Sequence, residues 1–188
     1  MDNLAYQYDE EPYEIINGEE YMMSSPSTNH VTINGNLNNI FSNYLKGKRC
    51  RSFIGLNLFL DEKNSYIPDE MIVCNPDIIE ENGVYGTPDL IVEILSKSTS
   101  RIDKNDKFFK YEKYGVKEYW IVEPFIKSVD VYLLKDGKLI IDNTYQFYTD
   151  KEFEELTDRQ KALVKREIKV SLYEDFYVTL EDIFENVT

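Results

Sequence analysis

The chain is short of cationic residues: 21 Lys and Arg stand against 35 Asp and Glu, a net charge of -14 over 188 residues. That balance argues against a protein that grips nucleic acid with its whole surface, because phosphate affinity comes from Lys and Arg contacts. There are only two cysteines, Cys50 and Cys74. They are far apart in sequence and match no metal-ligand spacing, so free thiols in a reducing compartment are the expected state. No apolar run approaches the roughly 20 residues needed to span a bilayer. The opening stretch MDNLAYQYDEEPYE is acidic, unlike a basic signal leader. The expectation is a soluble, cytoplasmic protein without a membrane partner, and the length suits one domain over residues 1-188.

The scarce positive charge is concentrated. Lys46, Lys48, Arg49 and Arg51 form one cluster, and Lys97, Arg101, Lys104, Lys107, Lys110, Lys113 and Lys117 form another, opposed only by Asp103, Asp106 and Glu112. A locally basic face on an acidic body is therefore available.

Turn signals and periodicity divide the chain. Asn17-Gly18 lies between two strand-like arms in YEIINGEEYMM and marks a tight hairpin. From Asn29 to about Leu45, the residues Ile33, Leu37, Ile40, Phe41 and Tyr44 recur at helical spacing, with Gly47 as a stop. Strands are expected over Arg51 to Leu60, Glu70 to Cys74, and PDLIVEILS at 88-96. A basic helix is expected from about Thr99 to Tyr114, closed by Gly115. EYWIVE at 118-123 reads as a buried strand, and Lys135-Asp136-Gly137 as a second hairpin turn. The charged segment 151-166 reads as a solvated helix or loop, followed by a last strand near Ile168 to Leu172 and a short terminal helix.

One residue is out of place. Glu93 interrupts a strand of β-branched and apolar residues, where an ionised carboxylate is costly unless something pairs with it. It is either ion-paired with a helix lysine or a metal ligand. Asp69, at the start of another strand in Ile67-Pro68-Asp69, is the partner that would make a metal site, since Mg²⁺ is held by one or two carboxylates with water and phosphate completing its shell. A nuclease motif with lysine two residues after the acid finds Leu95 there instead. Asp77, in Asn75-Pro76-Asp77, repeats the dipeptide in a polar loop and reads as a turn residue.

These stretches resemble the Uma-type family of restriction-endonuclease-like proteins in the PD-(D/E)xK nuclease superfamily. The similarity lies in YEIINGEEYMMSSPSTNH with NGNL following, IPDEMIVC, GTPDLIVEILSKSTSRIDKNDKFFKYEKYGVKEYWIVEP and IKVSLYEDFYVTLEDIF. The resemblance implies an α/β restriction-endonuclease-like core with a mixed, curved central sheet flanked by helices, and a Mg²⁺- or Mn²⁺-dependent DNA endonuclease. It implies metal ligands at Asp69 and Glu93, and a catalytic lysine moved to the following helix at Lys107, with Lys104 as competitor. Asp103, Lys107 and Tyr111 lie four residues apart, on one helical face. Asp103, Tyr111 and His30 would support the site, with Asn34 a weaker candidate. Asp89 shares a strand face with Glu93 but sits at a turn, like a capping acid. Lys97, Arg101 and Lys104 are the candidates for DNA contacts, and a homodimer is the default assembly. Trp120 reads as core, not as a base-stacking platform. The alternative reading is a catalytically inactive nuclease fold that binds nucleic acid or protein.

Overall fold

The computed structural model describes residues 12–96 and 106–188. In chain order, β1 (Tyr13–Ile16) and β2 (Glu19–Met22) precede helix α1 (Thr28–Leu45), followed by β3 (Arg51–Ile54), β4 (Leu58–Asp61), β5 (Asn64–Tyr66) and β6 (Glu70–Val73). Short strands β7 (Ile79–Glu80) and β8 (Gly83–Tyr85) lead to β9 (Leu90–Ile94). Helix α2 (Phe108–Tyr114) comes before β10 (Glu118–Glu123), β11 (Ser128–Lys135) and β12 (Lys138–Gln146). Short helices α3 (Asp150–Glu155) and α4 (Asp158–Lys161), strands β13 (Glu167–Lys169) and β14 (Tyr177–Thr179), and helix α5 (Leu180–Ile183) close the chain.

Both hairpins signalled by the sequence form. Asn17 and Gly18 take φ of 56° and 86°, and Asp136 and Gly137 take 52° and 75°. Two successive positive φ values give the turn whose twist matches its strands, which is why Asn-Gly and Asp-Gly occur there. The β1–β2 hairpin extends one six-stranded sheet, ordered β2-β1-β5-β4-β8-β7. The central sheet is ordered β12-β11-β10-β9-β6-β3. Within it only β9 and β10 are parallel. A parallel pair needs a crossover, and α2 lies in it.

Strand β9 is buried along its whole length because both faces of the sheet are covered. Leu90, Val92 and Ile94 pack with Ile33, Leu37 and Phe41 of α1 and with Trp120. Ile91 and Leu95 point the other way and pack with Met71, Tyr111 and Tyr119. Glu93 has the parity of this second face. Helix α1 is amphipathic as its spacing requires, and the Ser27 side chain caps it by accepting from the His30 amide. Removing one of its buried leucines, Leu37→Ala for instance, costs about 2–5 kcal/mol.

Three expectations are corrected. The single strand expected over Arg51 to Leu60 is broken at Gly55, where φ is 56°, and its halves β3 and β4 belong to different sheets. The last strand expected over Ile168 to Leu172 ends at Lys169. The thiols expected to be free are joined: Cys50 and Cys74 form a disulfide, with Cα atoms 3.9 Å apart. The reason is register, since Arg51 pairs with Val73 and the next step of the antiparallel ladder sets Cys50 against Cys74. Of the helix expected from Thr99, the part over 99–105 lies outside the described residues. The segment 151–166 contains two short helices, each opened by a threonine capping box, Thr149 with Glu152 and Thr157 with Gln160. Trp120 is fully buried in the core, with its ring edge-on to Phe41 at 5.8 Å.

Candidate active site

Strands β6 and β9 run antiparallel with Glu70 opposite Val92. One step beyond that pair, the same register sets Asp69 opposite Glu93. The Asp69 side chain is pinned at both oxygens: Oδ2 accepts from the Ile94 amide at 2.7 Å, and Oδ1 lies 2.8 Å from Nε2 of His30 on α1. Neighbouring strands and the helix beneath them therefore fix this carboxylate on an otherwise irregular Ile67-Pro68-Asp69 segment.

Glu93 is 3% exposed, and its Oε1 accepts from Lys107 Nζ at 3.0 Å and from the Tyr111 hydroxyl at 2.7 Å. Lys107 and Tyr111 are one helical turn apart, so one face of the crossover helix delivers both donors. Burial, reinforced by the Glu93 charge, pushes the Tyr111 hydroxyl well above its ordinary range, so it stays a neutral donor. Lys107 is equally buried, and its ammonium also lies 2.9 Å from Glu14 Oε1 on β1. That same Glu14 oxygen accepts from the Ile67 amide at 3.0 Å. Buried charges persist only with close partners, and here one cation serves two acids.

Glu14, His30, Asp69, Glu93 and Lys107 line one cleft of about 330 Å³, with Ser96 and Asn34 beside them. Of the residues singled out from the sequence, His30, Asp69, Glu93, Lys107 and Tyr111 come together here. Asp89 does not join them. At the opposite end of β9, it takes the Cys74 amide on Oδ2 and Lys117 Nζ on Oδ1, each at 2.7 Å. Lys97, Arg101, Asp103 and Lys104 lie outside the described residues. Leu95, at the strand position where a lysine would stand, is buried in the core.

Glu14 was not legible as a site residue. The available signal was parity: in Tyr13-Glu14-Ile15-Ile16 the acid shares the inward face with buried Ile16. Asn34 Oδ1 and His30 Nδ1 are buried without a hydrogen-bond partner among the described residues, so the floor of the cleft keeps unused polar capacity.

Among the described residues, no three or more His, Cys, Asp and Glu side chains are grouped to hold a metal ion. What the cleft offers is the carboxylates of Asp69 and Glu93 on adjacent strands, with Glu14 beside them. Hard carboxylate oxygens with room for water and phosphate suit Mg²⁺ or Mn²⁺, and do not suit the closed nitrogen and sulfur cages of structural zinc.

The fold places the protein in a known class. A crystal structure of a putative nuclease belonging to DUF820 from Anabaena variabilis ATCC 29413 superposes with a TM-score of 0.69 at 20% identity, covering 92% of this chain and 89% of that one. The architecture is thus the restriction-endonuclease-like mixed α/β fold. Residues 2–171 match the Uma2 family, described as "Putative restriction endonuclease", and the chain belongs to that family. Two Synechocystis proteins (strain ATCC 27184 / PCC 6803 / Kazusa), slr1290 and sll1609, are each 29% identical, over 130 and 127 residues. These matches cover 67% and 65% of this chain and 68% and 72% of the relatives.

Proposed function

We propose that the protein is a DNA endonuclease dependent on Mg²⁺ or Mn²⁺. The observation that carries this reading is the opposition of Asp69 and Glu93 across adjacent strands, with the Lys107 ammonium on Glu93. Asp69 and Glu93 would hold the metal, which would supply Lewis-acid stabilisation of the charge that develops on the scissile phosphate. Lys107 positions and polarises the attacking water beside that phosphate, and Glu14 and Tyr111 hold the lysine–glutamate pair in place. His30 orients the Asp69 carboxylate through Oδ1, while the Ile94 amide fixes the other oxygen.

Incubation of the full chain with plasmid and oligonucleotide DNA in Mg²⁺ or Mn²⁺ tests the reading. Cleavage that requires the cation and disappears in Glu93→Ala is expected. Cleavage unchanged in Glu93→Ala would remove the assignment.

The second reading is a nuclease fold that binds without cutting. It is favoured by the closed ion-pair arrangement of Glu14, Lys107 and Glu93, which also serves as a structural element. Titration calorimetry separates the two readings, because only the first requires Mg²⁺ or Mn²⁺ to bind.

A further inference from the structure

The walls of the cleft are chemically unlike its floor. The acids and the lysine sit at the bottom, while Met22 of β2, Val31 of α1 and Ile54 of β3 stand around the mouth at 59%, 56% and 48% exposure. Three large apolar side chains from three separate elements therefore converge on one opening and face solvent. Scattered exposed apolar residues need no explanation, but a group gathered at a polar cleft marks a binding surface. Lys107 is the only Lys or Arg among the described residues that line the cleft, and it already bridges Glu14 and Glu93. That lysine is therefore committed to the floor, beneath the apolar side chains of the rim.

We infer that the rim receives the base of an unpaired nucleotide whose phosphate lies on the Asp69–Glu93 floor, so that the substrate is single-stranded or locally melted DNA. The inference rests on the nuclease reading and adds the substrate class. A cleft of about 330 Å³ lies at the small end of ligand sites and suits one nucleotide. A base inside a duplex stack cannot reach such a pocket unless it is extruded, whereas an unpaired base enters without that cost. Apolar and aromatic walls hold any base by its flat face, and methionine adapts to different ring shapes. Continuity of the rim with the reactive floor decides the occupant: whatever seats a phosphate at Asp69 and Glu93 places its neighbouring base against Val31 or Ile54.

The test uses the full chain and three labelled oligonucleotides of one sequence: single-stranded, duplex with a central unpaired bubble, and fully paired duplex. Cleavage in Mn²⁺ and binding by anisotropy in Ca²⁺ are both measured. Single-stranded and bubble substrates are expected to be favoured by about tenfold or more. Met22→Glu and Val31→Glu, at exposed positions that leave the fold intact, should lower single-strand binding and raise KM, without changing the cation-induced rise in Tm. Equal or better handling of the paired duplex overturns the inference. So do rim variants that leave single-strand binding unchanged, or variants that convert a dimer to a monomer while strand binding persists, which would make the rim a self-interface. Rim-dependent binding of single strands with no cleavage of any substrate upholds the pocket and removes the nuclease reading instead.

Discussion

Lys107 Nζ lies 2.9 Å from Glu14 Oε1, a contact that ties the crossover helix to the first described strand of the chain. If the lysine works on the attacking water, Glu14 is its positioning partner. Glu14→Gln keeps the shape and removes the charge. The expected result is a fall in kcat of about 10- to 100-fold, the usual cost of a small misplacement, with little change in KM. Steady-state kinetics decide; a KM effect alone would make Glu14 a substrate-binding residue.

Lys107→Met removes the shared cation from Glu14 and Glu93, both buried acids. Breaking such a group by deleting one member costs about 3–5 kcal/mol, or roughly 10 °C in Tm for a chain of this size. Thermal melts followed by circular dichroism should show that loss, and Lys107→Arg should recover most of it without full activity, because the planar fork displaces the charge.

Cation binding has its own signature. A ligand selective for the folded state at about ten times its Kd adds about 1.4 kcal/mol, or roughly 3–5 °C. Mg²⁺ or Mn²⁺ should raise Tm by that order in the native chain and not in Asp69→Asn. A shift that survives Asp69→Asn places the cation elsewhere.

Glu70 gives the pH dependence. It is fully buried on β6, neither oxygen has a hydrogen-bond partner among the described residues, and burial, reinforced by Asp69 next to it, pushes its carboxyl up to about 9. Between its ordinary value of 4.5 and about 9, the folded state holds a proton that the unfolded chain has released. The contribution is therefore fully present below 4.5 and is lost as pH rises toward 9, with a slope approaching about 1.4 kcal/mol per pH unit. Urea unfolding in chelator at about pH 5, 7 and 9 should show this decline in the native chain and a flatter profile in Glu70→Gln.

The disulfide is the simplest to check. Thiol titration of the denatured, unreduced protein should find none, and reduction should release two from Cys50 and Cys74. Because the bridge closes a separation of 24 residues, its loss should cost on the order of 3 kcal/mol in the chain-entropy account.

What the sequence made legible follows the range of the interaction. The hairpin turns at Asn17-Gly18 and Asp136-Gly137 are local and were readable from two residues each. The stripe of α1 and the buried run of β9 were readable from a dozen. The Glu93 anomaly stood out because an acid among β-branched residues violates a local rule, and both readings of it describe one contact: the pairing with Lys107 exists at the place where metal ligands are proposed. Glu14 and the Cys50–Cys74 bridge stayed hidden because their partners are fixed by strand register, which no short window contains. Asp89 shows the limit of alternation, which gives it the parity of Glu93, while Lys117 and the Cys74 amide hold it at the far end of the strand, in keeping with a capping acid at a turn.

The lysine of this cleft rides on the connection between parallel strands, not on the strand that carries the acid. Each is anchored to its own element, and Tyr111 joins the same contact one helical turn after the lysine. A search pattern that demands a lysine two positions after the acid passes over this chain at Leu95. One that lets the interval float, and fixes instead the Lys107-to-Tyr111 spacing ahead of a Glu-Tyr-Trp strand, finds it.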